Sequence, residues 1–148
     1  MKLVIQRVRE ASVTVADKTI GQIGQGLCVL AGIEPSDTES DLDWMADRLV
    51  RLRIFEDSAG KMNLSVSDIG GSVLIVSQFT LLADCLKGRR PSFVGAGDPV
   101  RAKELYLKFL DRVAAQNVPV EHGLFGADMR VSLINDGPAT FILEHSHD

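Results

Sequence analysis

Short apolar segments recur from one end of this chain of 148 residues to the other, with turn-forming residues between them. Most of these segments either alternate apolar with polar residues or are continuously apolar, as β-strands are, and only two stretches place apolar residues at helical spacing. No repeat or linker divides the sequence. We therefore predict one domain, residues 1–148, of the α+β class: a mainly antiparallel β-sheet or barrel with two main helices.

The strands are predicted from apolar patterning, and their connections from turn residues. Strands are expected at residues 3–8, 12–15, 19–23, 27–33, 72–76, 129–134 and 140–143. A further hairpin is predicted around the turn 57–61. The segment Asn135-Asp136-Gly137-Pro138 separates the last two strands, and Asp-Gly between strands predicts a hairpin turn there as well.

The two helices are predicted from spacing and from capping residues. The first follows a Ser/Thr/Asp cluster suited to capping and has the apolar residues Leu42, Met45, Leu49 and Leu52. The second begins with Asp98 as N-cap and Pro99 at the first helical position. Its apolar face comprises Ala102, Leu105, Tyr106, Phe109, Leu110 and Val113.

Composition limits the class of protein. Hydrophobic residues make up 45% of the chain and charged residues 24%, which is enough for a core and too apolar for a disordered chain. No apolar run approaches the ~20 residues that span a bilayer, and residues 1–7 lack the features of a signal peptide. We expect a soluble, cytosolic protein that does not contact membranes.

The cysteine, histidine and glycine patterns predict neither a cofactor nor a metal. Cys28 and Cys85 are far apart and form no Cys-x-x-Cys pair. The motif His145-Ser146-His147 is C-terminal, where a disordered tail is expected rather than a metal site. The glycine-rich sequences that bind nucleotide phosphates are absent.

One local segment is basic, although the net charge of −4 argues against binding nucleic acid through phosphates alone. This segment is Lys87-Gly88-Arg89-Arg90-Pro91-Ser92-Phe93. Such a loop can bind phosphate groups. The alternative is a charged surface loop in solvent.

The segment Ser77-Gln78-Phe79-Thr80 leaves the strand 72–76 with three hydrogen-bonding side chains. Backbone N–H groups released at a strand end can stabilise an oxyanion, and the hydroxyl of Ser77 or Thr80 can attack a carbonyl if a base is adjacent. The alternative is a strand that only reaches solvent. No sequence pattern assigns a Ser-His-Asp triad or a His-Glu-x-x-His zinc site.

Several segments, in order along nearly the whole chain, carry a resemblance to one family. They are residues 4–8, 11–15, 77–81, 88–93, 123–129 and 135–140. Ser-Gln-Phe-Thr at 77–80 followed far downstream by Asn-x-Gly-Pro-x-Thr at 135–140 is highly specific as a pair. Together the segments resemble the D-aminoacyl-tRNA deacylases, also known as D-tyrosyl-tRNA deacylases.

The resemblance implies a homodimeric hydrolase that cleaves the ester between a D-amino acid, or mischarged glycine, and the 3′-terminal adenosine of tRNA. It implies that Gly137 and Pro138 form a cis peptide that enters the partner subunit's pocket and excludes L side chains, with Arg7 supporting this turn. A rigid obstruction is the physical route to rejecting one enantiomer.

The resemblance also implies the roles of the remaining site residues. Ser77, Gln78, Phe79 and Thr80 face the reacting carbonyl, and the backbone N–H groups near Phe79 and Thr80 are oxyanion donors. The substrate's own ribose 2′-hydroxyl would position or activate water. Phe125 and Met129 wall the adenosine pocket. The tRNA phosphates would be met by Lys87, Arg89 and Arg90.

Two other functions remain open at the level of sequence. One is a hydrolase of free D-amino acid esters or amides with Thr80 as nucleophile. The other is a non-catalytic dimeric module that binds a small ligand or an RNA end, with 77–80 and 135–140 as structural turns. A deacylation assay that compares D- with L-aminoacyl-tRNA separates these functions.

Overall fold

A computed structural model describes residues 1–145 of the chain. A six-stranded mixed sheet, a separate two-stranded hairpin and two helices account for most of the structure. The elements are β1 (Lys2–Val15), β2 (Lys18–Ile23), β3 (Gly26–Gly32), α1 (Glu39–Arg51), β4 (Phe55–Glu56), β5 (Met62–Leu64), β6 (Ser72–Ser77), α2 (Pro99–Ala114), β7 (Val120–His122) and β8 (Arg130–Glu144). The prediction of an α+β protein with two main helices is confirmed.

Strand β1 organises the large sheet. One of its edges pairs antiparallel with β8 from Lys2 to Thr14. Its other edge pairs with β3 through residues 2–8 and with β2 through residues 11–15. The two N-terminal runs predicted as separate strands are therefore one strand, because a single partner, β8, continues across the polar residues between them.

The sheet is mixed rather than purely antiparallel. Strand β6 runs parallel to β3, and β7 runs parallel to β6. Strand β2 then approaches the far end of the sheet, where a side chain on Gly21 would place its Cβ only 2.9 Å from the carbonyl oxygen of His122. The sheet therefore curls into a nearly closed barrel.

Buried side chains form two cores, one on each face of β3 and β6. Leu27 and Val29 face the helices, whereas Cys28 and Leu74 lie inside the curled sheet. Both strands are almost continuously apolar for this reason, as strands buried on both faces are. Burial raises the pKa of the Cys28 thiol to about 11 because the charged thiolate is poorly solvated there.

Both helices begin at their predicted capping residues. The backbone N–H of Thr38 donates to the Asp41 carboxylate at 2.7 Å, completing a capping box before α1. Asp98 accepts from the N–H of Val100 at 3.1 Å, and Pro99 is the first residue of α2. The helices are tied together by Arg112, which bonds Asp43 at 2.7 Å. Along residues 1–145, no helix is long and apolar enough to cross a membrane.

The predicted hairpin at residues 135–138 is wrong. Residues 130–144 form the single strand β8, which keeps β1 as its partner on both sides of this segment. Gln6 pairs with Thr140 and Val8 pairs with Asn135, so the four residues between Asn135 and Thr140 stand opposite Arg7 alone. The segment 136–139 is therefore a bulge in a continuous strand, which we call the β8 bulge.

The chain ends of the described structure meet. The ammonium group of Met1 is buried and donates to Asp37 Oδ1 at 2.8 Å and to the carbonyl oxygen of His145 at 2.9 Å. The His145 ring stacks on Trp44 with centroids 4.3 Å apart, and its Nδ1 lies 2.9 Å from Asp41 Oδ1. The expectation of a disordered tail is therefore wrong for His145, whereas Ser146 and His147 lie outside the described residues.

Candidate active site

The end of β6 positions the segment 77–80. Ser77 is the last residue of the strand, and the N–H of Gln78 still donates to the carbonyl oxygen of Ala31 in β3 at 2.8 Å. The chain then leaves the sheet in a short 3-10 helix, Phe79–Leu82. The polar residues therefore follow a fixed strand end, as their position after the apolar run predicted.

A pocket of about 590 Å³ opens at this strand end. Three of the four residues of the segment 77–80 line it, namely Ser77, Gln78 and Phe79. The opposite wall comes from residues 125–129, and a third wall from the start of α2 and the turn before it. The lining residues of this third wall are Phe93, Ala96, Gly97, Pro99 and Ala102.

Two backbone donors lie beside the pocket, at the start of the short helix Phe79–Leu82. Within residues 1–145, neither the N–H of Phe79 nor that of Thr80 has a protein acceptor, as is usual for the first N–H groups of a helical turn. The Thr80 hydroxyl accepts a hydrogen bond from the Gln78 side-chain amide. Thr80 itself is exposed and does not line the pocket.

The pocket wall lacks a side-chain pair for acid–base chemistry. Asp128 is the single ionisable residue that lines it among the described residues. His122 lies outside the lining, with its Nδ1 2.7 Å from the carbonyl oxygen of Gly123. No group of three or more His, Cys, Asp and Glu side chains within residues 1–145 is placed to hold a metal ion.

Phe125 and Met129 are fixed on one wall by the layers behind them. The Phe125 ring packs against Tyr106 with centroids 5.7 Å apart. The Tyr106 hydroxyl in turn donates to the carbonyl oxygen of Ile75 at 2.8 Å, and burial raises the pKa of Tyr106 above its usual range. Met129 lies so close to Gly123 that a side chain there would meet its sulfur at 2.6 Å. Both residues thus present apolar surface to the pocket.

The basic segment forms a protruding loop beside the pocket mouth. The backbones of Asp84 and Ser92 exchange two hydrogen bonds, of 2.8 and 2.9 Å, and close the base of this loop. Its three basic side chains are exposed and do not line the pocket: Lys87, Arg89 and Arg90. Phe93, at the end of the segment, does line it.

The β8 bulge presents Gly137 and Pro138 to solvent. The peptide bond between them is cis. The Asn135 side chain closes the bulge, because its Oδ1 accepts from the N–H of Ala139 at 2.7 Å and its Nδ2 donates to the Ala139 carbonyl oxygen at 3.1 Å. Gly137 and Pro138 are exposed while Ala139 is buried, so the bulge points its tip outward.

Arg7 holds the bulge from within the fold. The residue as a whole is only 7% exposed. Nε donates to the carbonyl oxygen of Asp136 at 2.8 Å, and Nη1 donates to that of Ile54 at 2.7 Å. Arg7 therefore joins the bulge to the connection between α1 and β4. The family resemblance implies Arg7 as the support of this segment, but the sequence does not predict its second acceptor, Ile54.

Within one chain, the bulge and the pocket are apart. Arg7 pairs with Leu27, and Leu27 pairs with Val73. Ser77 lies four residues further along β6 than Val73, which is about 13 Å at the usual rise per residue. Neither Gly137 nor Pro138 lines the pocket of its own chain.

The fold and the pocket define a class of protein: an α+β barrel with a pocket at the end of a buried strand, lined largely by apolar side chains and with backbone N–H groups beside it. Residues 4–144 match the family model described as D-Tyr-tRNA(Tyr) deacylase. The chain belongs to this family.

Individual relatives agree with the family match. A D-aminoacyl-tRNA deacylase of Geobacter sulfurreducens is 56% identical over 144 residues, covering 97% of this chain and 95% of the relative. A protein of the same name from Thermotoga petrophila is 52% identical over 146 residues, covering 99% and 98%.

Two solved structures share the fold. A c-Myc DNA unwinding element binding protein superposes with a TM-score of 0.93 at 43% identity, covering 99% of this chain and 100% of that one. A probable eukaryotic D-amino acid tRNA deacylase superposes with a TM-score of 0.83, covering 96% and 97%. Its identity of 19% makes it a relative in fold alone.

Proposed function

We propose that this chain hydrolyses the ester bond between a D-amino acid, or mischarged glycine, and the 3′-terminal ribose of tRNA. The observation that carries this proposal is the pocket at the end of β6, beside which the N–H groups of Phe79 and Thr80 have no acceptor within residues 1–145, in a member of the deacylase family. The products are the free amino acid and a tRNA with a free 3′-terminal hydroxyl.

The chemistry we propose depends on backbone rather than side-chain groups. Water attacks the ester carbonyl, the two N–H groups stabilise the negative charge that develops on the carbonyl oxygen, and the ribose oxygen leaves with a proton. No described side chain in the pocket is an evident base for Thr80, which favours assistance by the substrate's 2′-hydroxyl. The adenosine would lie against Phe125 and Met129.

We propose that selectivity comes from the bulge of a second subunit. Gly137 and Pro138 are exposed, are supported from behind by Arg7, and lie away from their own pocket. In a homodimer they would enter the partner's pocket, where their carbonyl oxygens would accept the substrate's amino group and leave no room for an L side chain. Glycine has no side chain to obstruct, so it would be hydrolysed too.

The partners we propose are therefore a second copy of the chain and the 3′ end of tRNA, in the cytosol where aminoacyl-tRNA is used. Lys87, Arg89 and Arg90 would contact phosphates, because they extend from a closed loop at the pocket mouth. The similarity to a DNA unwinding element binding protein does not favour DNA as the main ligand, since the net charge is −4.

The decisive experiment measures release of the amino acid from D-, glycyl- and L-aminoacyl-tRNA, alongside a free D-amino acid methyl ester. We expect rapid hydrolysis of D-aminoacyl-tRNA and glycyl-tRNA. L-aminoacyl-tRNA and the free ester should be hydrolysed far more slowly. Fast hydrolysis of the free ester would favour a Thr80 hydrolase, and tRNA binding without hydrolysis would favour a binding module.

A second experiment tests the selectivity of the bulge. In Pro138→Ala and Arg7→Ala we expect L-aminoacyl-tRNA hydrolysis to rise about tenfold or more, while D-aminoacyl-tRNA hydrolysis is largely retained. Pro119→Ala, which changes another exposed proline before β7, is the control. Lower melting temperatures with undiminished rejection of L substrates would contradict the proposal.

A further inference from the structure

Two aromatic rings are exposed at the mouth of the pocket. Phe79 is 59% exposed and Phe93 39%. Other large aromatic side chains are buried, such as Phe55, Tyr106 and Phe109. The two exposed rings lie together, with centroids 5.2 Å apart and planes inclined by 52°. Exposed paired aromatic rings need an explanation other than core packing.

The two rings stand on anchored turns rather than on free chain. Phe79 begins the 3-10 helix after β6. Phe93 lies directly after the two hydrogen bonds between Asp84 and Ser92, and its carbonyl oxygen accepts from the N–H of Ala96 at 3.0 Å. The surface is therefore held in place before any ligand arrives, which lowers the entropy lost on binding.

The segment that joins the two rings along the chain is positively charged. The loop between them carries Lys87, Arg89 and Arg90, all exposed, and none of the three forms an ion pair within residues 1–145. Asp84, the nearest carboxylate in the sequence, is engaged by the N–H of Leu86 at 2.9 Å. In a chain with a net charge of −4, this concentration of free cations favours an anionic ligand.

We infer that Phe79 and Phe93 bind the unpaired nucleotides that precede the 3′-terminal adenosine, with bases on the rings and phosphates on the basic loop. Aromatic faces beside basic side chains are how proteins hold single-stranded nucleic acid. The inference rests on the proposed function, which places the terminal adenosine in the adjoining pocket. It gives the Phe79 side chain a role separate from that of its backbone N–H.

The test compares two substrates that differ only in these nucleotides: a D-aminoacyl-tRNA and the same D-amino acid esterified to adenosine alone. The measured quantity is the ratio of kcat/KM on the first to kcat/KM on the second. Phe93→Leu should lower this ratio about 5- to 160-fold, the range expected for loss of one stacked base. Phe93→Tyr keeps a ring and should restore the ratio.

The second part of the test concerns the basic side chains. Replacing Lys87, Arg89 and Arg90 together by Gln should weaken the salt dependence of kcat/KM on tRNA and leave that on the adenosine ester as it was. Leu107→Ala, an exposed apolar position on α2, is the control for surface changes. An unchanged ratio in Phe93→Leu, or an equal loss on both substrates, overturns the inference.

Failure of the proposed function has a different signature. If the wild-type chain hydrolyses neither substrate, fluorescence anisotropy with the trinucleotide CCA still decides the inference. Weaker binding by Phe93→Leu than by Phe93→Tyr supports stacking on the rings, and equal binding overturns it.

Discussion

At the scale of single residues, the structure argues against the Thr80 hydroxyl as a nucleophile. Its hydroxyl accepts from the Gln78 amide and lies outside the pocket lining. We expect Thr80→Ala to keep kcat/KM on D-aminoacyl-tRNA within about tenfold of wild type, because backbone donors survive the substitution. Single-turnover kinetics would check this. Complete loss of activity in a folded variant, with a trapped acyl-enzyme, would instead establish covalent catalysis.

The buried thiol of Cys28 makes the free energy of unfolding fall as the pH becomes alkaline. Its thiol titrates near pH 9 in an unfolded chain, while burial raises its pKa in the fold to about 11. The unfolded state therefore loses this proton first, so the stabilisation is present below pH 9 and declines by about 2 kcal/mol as the pH rises to 11. Urea unfolding of Cys28→Val should show a shallower decline, and exposed Cys85→Ser should match wild type.

The strand end at 77–80 could be predicted from sequence because its signal is local: polar residues directly follow an apolar run. The anchoring of Arg7 could not, since its acceptor in Ile54 is 47 residues away. The third wall of the pocket could not be predicted from the sequence either. Gly97 and Ala102 are ordinary small residues until the fold brings them opposite Ser77.

At the scale of elements, α2 is important because its first turn lines the pocket. Asp98 caps this turn by accepting from Val100. Asp98→Ala should lower the free energy of unfolding by about 1 kcal/mol, and Asp98→Asn, which keeps a capping oxygen, should lower it much less. Denaturant titration measures both. Equal losses in the two variants would contradict the capping role.

The wrong prediction of a hairpin at residues 135–138 has a physical reason, which the β8 bulge shows. Asn, Asp, Gly and Pro favour a local departure from extended backbone, and both a hairpin and a bulge satisfy that preference. The choice between them depends on β1, which pairs with both halves of β8 from 116 to 142 residues away. The parallel pairs of β6 with β3 and β7 escaped prediction likewise, because no local pattern names a strand's neighbour.

At the scale of the whole molecule, exchange of subunits tests the proposal that the β8 bulge of one copy sets the selectivity of a second copy's pocket. Met129→Arg should block its own pocket while keeping an intact bulge. Mixed in large excess with Pro138→Ala, it should supply that bulge to the open pockets, so the L-aminoacyl-tRNA hydrolysis of Pro138→Ala should fall several-fold. Mixing with a chain that carries both substitutions is the control. A filter within one chain would show no effect of mixing.

The pairing of β1 with β8 also has a consequence while the chain is being synthesised. One edge of β1 has its partner in residues 130–144, which are synthesised at least 116 residues later. During most of translation that edge offers unsatisfied N–H and C=O groups to any other strand nearby. Growing chains of this protein should therefore depend on chaperones or on spacing along the messenger to avoid pairing with one another, more than a protein closed by local hairpins would.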